Sequence, residues 1–135
     1  MVDLVGVMKK LVAVMNGESQ VEYDRARELP DHQKQYLDAM DKKMDEGIPH
    51  GPGHIFAPDM QQKAQFVANQ LIGAIKAENE QLAAATLAYL ANRLPDLLQV
   101  VAEENDGETT IKLIYDKEYV KPAPVQFIKP EQLNS

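Results

Sequence analysis

Along most of the chain, apolar residues return at three- and four-residue steps, the spacing that gathers them on one face of a helix. Between residues 3 and 16, Leu4, Val5, Met8, Leu11, Val12 and Met15 form such a stripe, Asp3 suits the first turn, and Asn16-Gly17 supplies a stop. Val2, Val7 and Val14 lie off that stripe, so this helix is apolar on a second side. That fits a central core helix, or one that touches both its own core and another chain. The valines leave a strand as the lesser alternative, because β-branched side chains crowd a helix.

Residues 18–28 read as a short helix with Val21, Tyr23 or Ala26 inward. Pro30 suits the opening of the next, over 31–46, where Tyr36, Leu37, Met40 and Met44 share a face and Asp38, Asp41 and Asp45 line another. Gly47 and Pro49 end it. The longest helical region begins at Pro58-Asp59 and carries Met60, Ala64, Val67, Leu71, Ala74 and Ile75. The polar run Glu78-Asn79-Glu80-Gln81 predicts a break near 77–79. The helix that follows, 79–94, sets Ala83, Leu87, Leu90 and Leu94 on one face, with small residues that let helix axes approach closely. Residues 96–104 predict a last short helix with Leu97, Leu98, Val100 and Val101 inside, closed by Asn105-Asp106-Gly107.

Only the tail alternates with period two. Thr109–Tyr115 predicts a strand, and Tyr119–Lys121 a return strand that Pro122 and Pro124 confine to an edge. Val125–Ile128 is one more extended piece. The predicted fold is therefore mainly α, in one domain over residues 1–135. It is a bundle of four to six helices in 1–106, with a small C-terminal β hairpin in the tail 107–135. A lone hairpin is marginal in water, so the tail is expected to lie on the helices or to join strands of another subunit.

Composition narrows the functional classes. A chain of 135 residues can bury a core without staples, and 44% hydrophobic with 26% charged residues is a globular balance. The absence of Cys excludes disulfides and thiolate chemistry and fits the cytoplasm. Lys9 and Lys10 interrupt the apolar N-terminal stretch, leaving it far short of the roughly 20 residues of a membrane span. It also lacks the basic-first layout of a secretory signal. A net charge of −7 repels phosphate backbones and anionic lipid, so neither nucleic acid nor membrane is expected as a partner. Ser19 and Ser135 are the only serines, and no nucleophile-elbow, phosphate-loop or dinucleotide glycine pattern occurs.

Candidate chemistry collects in Gly47–Pro58 (GIPHGPGHIFAP), which holds three Gly, three Pro and two of the three His. His50 and His54 cannot take the helical two-imidazole ligand geometry there, but a loop can still bring them together. Asp45 and Glu46 sit in a last helical turn, where the dipole disfavours negative charge, and a cation or a protonated imidazole would relieve that cost. Asp41, Asp45, His50 and His54 are thus a candidate mixed nitrogen–oxygen site for a divalent metal, with no other cofactor expected. His32 starts the same helix, about 20 Å away at the helical rise, and is left out. Against a metal, such acids cost only about 0.3–1 kcal/mol, and a row interleaved with Lys reads first as a solvated face. The leading functional expectation is a non-catalytic, cytoplasmic binding or accessory protein. Its contacts with a protein partner or a second copy would run through Val7, Val14, Phe56, Tyr115 and Tyr119. The alternative is a small metal-dependent enzyme or metal binder built on the 47–58 loop.

Overall fold

The computed structural model describes residues 9–120. In chain order the elements are β1 (Leu11–Met15), β2 (Glu18–Tyr23), α1 (Asp31–Asp45), β3 (Ile48–His50), β4 (Gly53–Ile55), α2 (Met60–Lys76), α3 (Glu80–Arg93), β5 (Gln99–Asn105) and β6 (Glu108–Ile114). One four-stranded sheet runs β2-β1-β5-β6, and β3 and β4 form a separate two-stranded ribbon. This is an α+β fold, not the mainly α bundle of four to six helices that apolar spacing predicted. The helices expected over 3–16, 18–28 and 96–104 are replaced, within the described residues, by β1, β2 and β5.

The two-residue turns explain the replacement. Asn16 and Gly17 both have positive φ, 50° and 85°, and so do Asp106 and Gly107, at 53° and 83°. Positive φ at both central residues is what a type I′ hairpin turn requires, and Asn-Gly and Asp-Gly are its preferred pairs. Each pair closes an antiparallel hairpin, β1–β2 at Met15↔Glu18 and β5–β6 at Asn105↔Glu108. What reads as a helix stop is a strand reversal in both places.

The hairpins meet through their inner strands, β1 and β5, which pair parallel from Val12↔Gln99 to Met15↔Ala102. A central strand covered on both faces loses the alternation that identifies a strand. Leu11, Val12, Ala13 and Val14 are accordingly buried one after another. In β5, Val100 and Ala102 turn to the helices while Glu103 is exposed. The strand expected at 109–115 is found as β6, paired with β5; no strand is present at Tyr119–Val120 among the described residues. The extended piece expected at 125–128 lies outside the described residues.

Helices α1, α2 and α3 match the periodicity over 31–46, 58–76 and 79–94 closely. Asp59 caps α2 by accepting from the Gln62 amide at 2.8 Å, and Gln62 returns the bond to the Asp59 amide at 2.9 Å. At its other end the Asn79 amide reaches back to the Ala74 carbonyl and the Glu78 amide to Ile75, a Schellman closure with Glu78 in the left-handed region. Asn79 then caps α3 through the Leu82 amide at 3.1 Å. The α2–α3 pair packs Val67, Leu71, Leu87 and Leu90 against Leu11, Ala13, Val100 and Ala102 of the sheet. α1 is attached differently: only Leu37 and Met44 of its 15 residues are buried.

Candidate functional site

Two turns apart on one stripe, Leu37 and Met44 give α1 a narrow apolar seam, and a polar cluster does the rest. Asp41 stands at its centre. Its Oδ1 accepts from the Tyr89 hydroxyl and from Lys63 Nζ at 3.2 Å, and its Oδ2 accepts from Arg93 Nε at 2.8 Å. Lys63 also reaches Asp45 at 2.9 Å, and Arg93 reaches Asp38 at 2.7 Å. The Arg93 guanidinium lies 5.6 Å from the centre of the Tyr89 ring. One residue of α2 and two of α3 thus hold three acids of α1.

Electrostatics follow from that geometry. Burial pushes the Asp41 carboxyl up, but the bonds from Tyr89, Arg93 and Lys63 outweigh it and hold it below the usual carboxylate range. Burial pulls Lys63 down, and Asp45 and Asp41 together more than reverse this. Burial, then Asp41, raise the Tyr89 hydroxyl, which stays protonated as a donor. Every oxygen of Asp41 is engaged by a donor and Lys63 is held as a cation, so the cluster is arranged to clamp a helix rather than to exchange protons.

The proposed metal ligands are therefore placed apart. Asp41 and Asp45 face Lys63 and Arg93. His50 and His54 sit in the β3–β4 ribbon, where Pro49 pairs with His54 and His50 with Gly53. Neighbouring register positions alternate faces, so the two imidazoles project to opposite sides of the ribbon. His54 stacks on Phe56, ring centres 6.5 Å apart. Among the described residues, no group of three or more His, Asp or Glu could hold a metal ion. The loop expected over 47–58 is thus largely a β ribbon. It is pinned to α1 by the Ala57 amide, which donates to the Asp45 carbonyl at 3.0 Å.

Of the residues expected at a partner contact, Val7 lies outside the described residues and Val14 is buried in β1. Phe56 is 72% exposed, its ring edge against Gly47, where an added Cβ would come within 3.2 Å of it. Tyr115 is exposed and Tyr119 half-buried in the segment after β6. Gln99 tacks that segment down by donating to the Lys117 carbonyl at 2.9 Å. Sequence reasoning missed Lys63, Tyr89, Arg93 and Arg25. Lys63 and Arg93 border apolar stripes as lone cations, the one signal available. Arg25 spans from β2 to the end of α3, donating to the carbonyls of Ala91 at 3.3 Å and Leu94 at 2.9 Å.

Because α1 touches the body along one seam, grooves open beside it. One, of about 770 Å³, lies between β2, α1 and α3 and is lined by Val21, Tyr23, Tyr36, Leu37, Ala84 and Ala88 among others. Its walls are mostly apolar, and exposed Tyr36 stands at its edge. Away from α1, a second groove of about 550 Å³ separates the β3–β4 ribbon from α2 and reaches Leu113 of β6. No helix among the described residues is long and apolar enough to cross a membrane. Comparisons of the chain with protein-family models, with curated proteins and with solved structures found no match.

Proposed function

We propose that the chain is a non-catalytic, cytoplasmic binding or accessory protein that works through protein–protein contact. The observation that carries this reading is the apolar groove between β2, α1 and α3. A concave surface of this size, floored by alanines and edged by Tyr36, suits apolar side chains of a partner segment. The acids favour a partner with Lys or Arg beside those apolar residues. Glu22 lines the groove, and Asp31 and Glu80 head the two helices that flank it. The net charge of −7 points the same way. A second copy is the poorer occupant, because a two-fold contact would set this acidic rim against itself. The lack of Cys is compatible with a reducing compartment.

Selection of displayed random peptides on the full chain tests the reading. Enrichment of apolar peptides flanked by Lys or Arg is expected. Their binding should be lost in Ala84→Trp, which fills an exposed position of the groove, and weakened by Glu22→Lys. Peptides that bind both variants as well as the parent would refute the assignment. So would a dimer, seen by light scattering, that Ala84→Trp dissociates.

A further inference from the structure

The second groove has a different chemistry. Gln61, Gln65 and Asn69 stand at four-residue steps on α2, one exposed stripe facing the β3–β4 ribbon. Each carboxamide offers two N–H donors and a carbonyl acceptor. His50 lies on the ribbon side, and Ile48, Ile55, Phe66 and Leu113 supply apolar wall. Gln62 and Asp59 also border the groove, each with one side-chain oxygen engaged in the α2 capping box. Among the described residues no Lys or Arg lines the groove, so it lacks the side chains that most often hold a phosphate or carboxylate.

The geometry points to a binding site for a neutral, hydroxyl-rich ligand of mono- to disaccharide size. A saccharide ring presents hydroxyls at its edge and C–H groups on its face. The carboxamide stripe pairs with the first as donor and acceptor at once, and Phe66, half-buried beside it, covers the second. A volume of about 550 Å³ falls in the ordinary range of small-molecule sites. The site uses neither the apolar groove nor its acids, and it stands or falls apart from the partner reading.

The probes are maltose and N,N′-diacetylchitobiose, titrated into the ¹⁵N-labelled full chain to about 10 mM, a range that registers millimolar affinity. Expected are saturable shifts in the side-chain amides of Gln61, Gln65 and Asn69, with at least one sugar. Gln65→Ala/Asn69→Ala should weaken binding by about tenfold or more while leaving the melting temperature unchanged, since both positions are exposed. Glucose 6-phosphate is expected to bind no better than maltose. Absence of shifts with both sugars, shifts that the double variant retains, or preference for the phosphate would each overturn the assignment.

Discussion

Replacing Asp41 by Ala removes the single acceptor shared by Tyr89, Arg93 and Lys63. Stripping one partner from a buried ion pair costs about 3–5 kcal/mol, because the other is left charged and dry. Two features reduce that figure here. Asp41 is 22% exposed, and Lys63 and Arg93 keep Asp45 and Asp38 as second partners. The buried Tyr89 hydroxyl keeps no protein oxygen, which adds a desolvation cost of about 1–3 kcal/mol. Since these contributions overlap, the expected loss is about 2–4 kcal/mol, or roughly 10 °C in Tm for a chain of this size. Urea denaturation followed by circular dichroism measures it. Asp38→Ala is the control: 77% exposed, it should cost less than about 1 kcal/mol. The pH dependence has a definite sign. A carboxyl held below its unfolded value stabilises fully above that value, near 3.9, and the stabilisation is lost as pH falls through the folded value. Parent and Asp41→Ala should therefore differ most near neutrality, and the gap should narrow as pH falls below about 4 and the charge-dependent part is lost. A loss under about 0.5 kcal/mol, the worth of an exposed pair, or a gap of the same size in acid as at neutrality would refute the clamp.

Other substitutions probe the backbone. Glu78→Gly should stabilise the chain by about 1 kcal/mol in the same assay, because Glu78 closes α2 in the left-handed region that favours glycine. Gly17→Ala and Gly107→Ala should each cost about 1 kcal/mol, since their turns need positive φ; equal stability would remove the type I′ assignment. Arg25→Ala takes two donors from the carbonyls that end α3 and should cost about 1–3 kcal/mol, with faster amide exchange in the segment those carbonyls anchor.

What the sequence disclosed followed the amphipathic rule. α1, α2 and α3 each have one wet face, so Leu37, Met44, Val67 and Leu87 repeat at helical spacing and their limits could be read directly. In β6, half-buried Ile111 and Leu113 flank exposed Lys112, and the strand was legible for the same reason. The inner strands were not. Leu11 to Val14 is a continuous apolar run, and a short run carries no period of its own. The deciding signals were Asn16-Gly17 and Asp106-Gly107, read as helix stops although each joins two runs of strand length. The site divided along the same line. Asp45 was picked out for its misplaced charge, and that charge is answered, but by Lys63 from another helix rather than by His50 and His54. Pairings across elements depend on tertiary packing, which spacing along one helix does not encode.

The clamp and the grooves have one physical origin. A helix that seats a broad apolar face closes the space beside it, as α2 and α3 do through Ala64, Ala68, Ala83 and Ala91. α1 seats only Leu37 and Met44, and Pro30 at its N-cap position makes no side-chain capping bond. Most of its hold must then come from Asp41 and its neighbours, directional bonds that keep the helix at a fixed distance without filling the flanks. The concavities on its two sides share its residues. Tyr36 lines both the large apolar groove and a smaller one of about 270 Å³ under Met40 and Met44. Ile48 and Phe66 join that smaller one to the carboxamide groove. Replacing the clamp by larger apolar residues could hold α1 as firmly, since buried ion pairs stabilise no better than well-packed hydrophobes. It would also draw the helix down and close the grooves. The polar attachment is the arrangement that fixes α1 in place and keeps the two concavities lined by its own residues open.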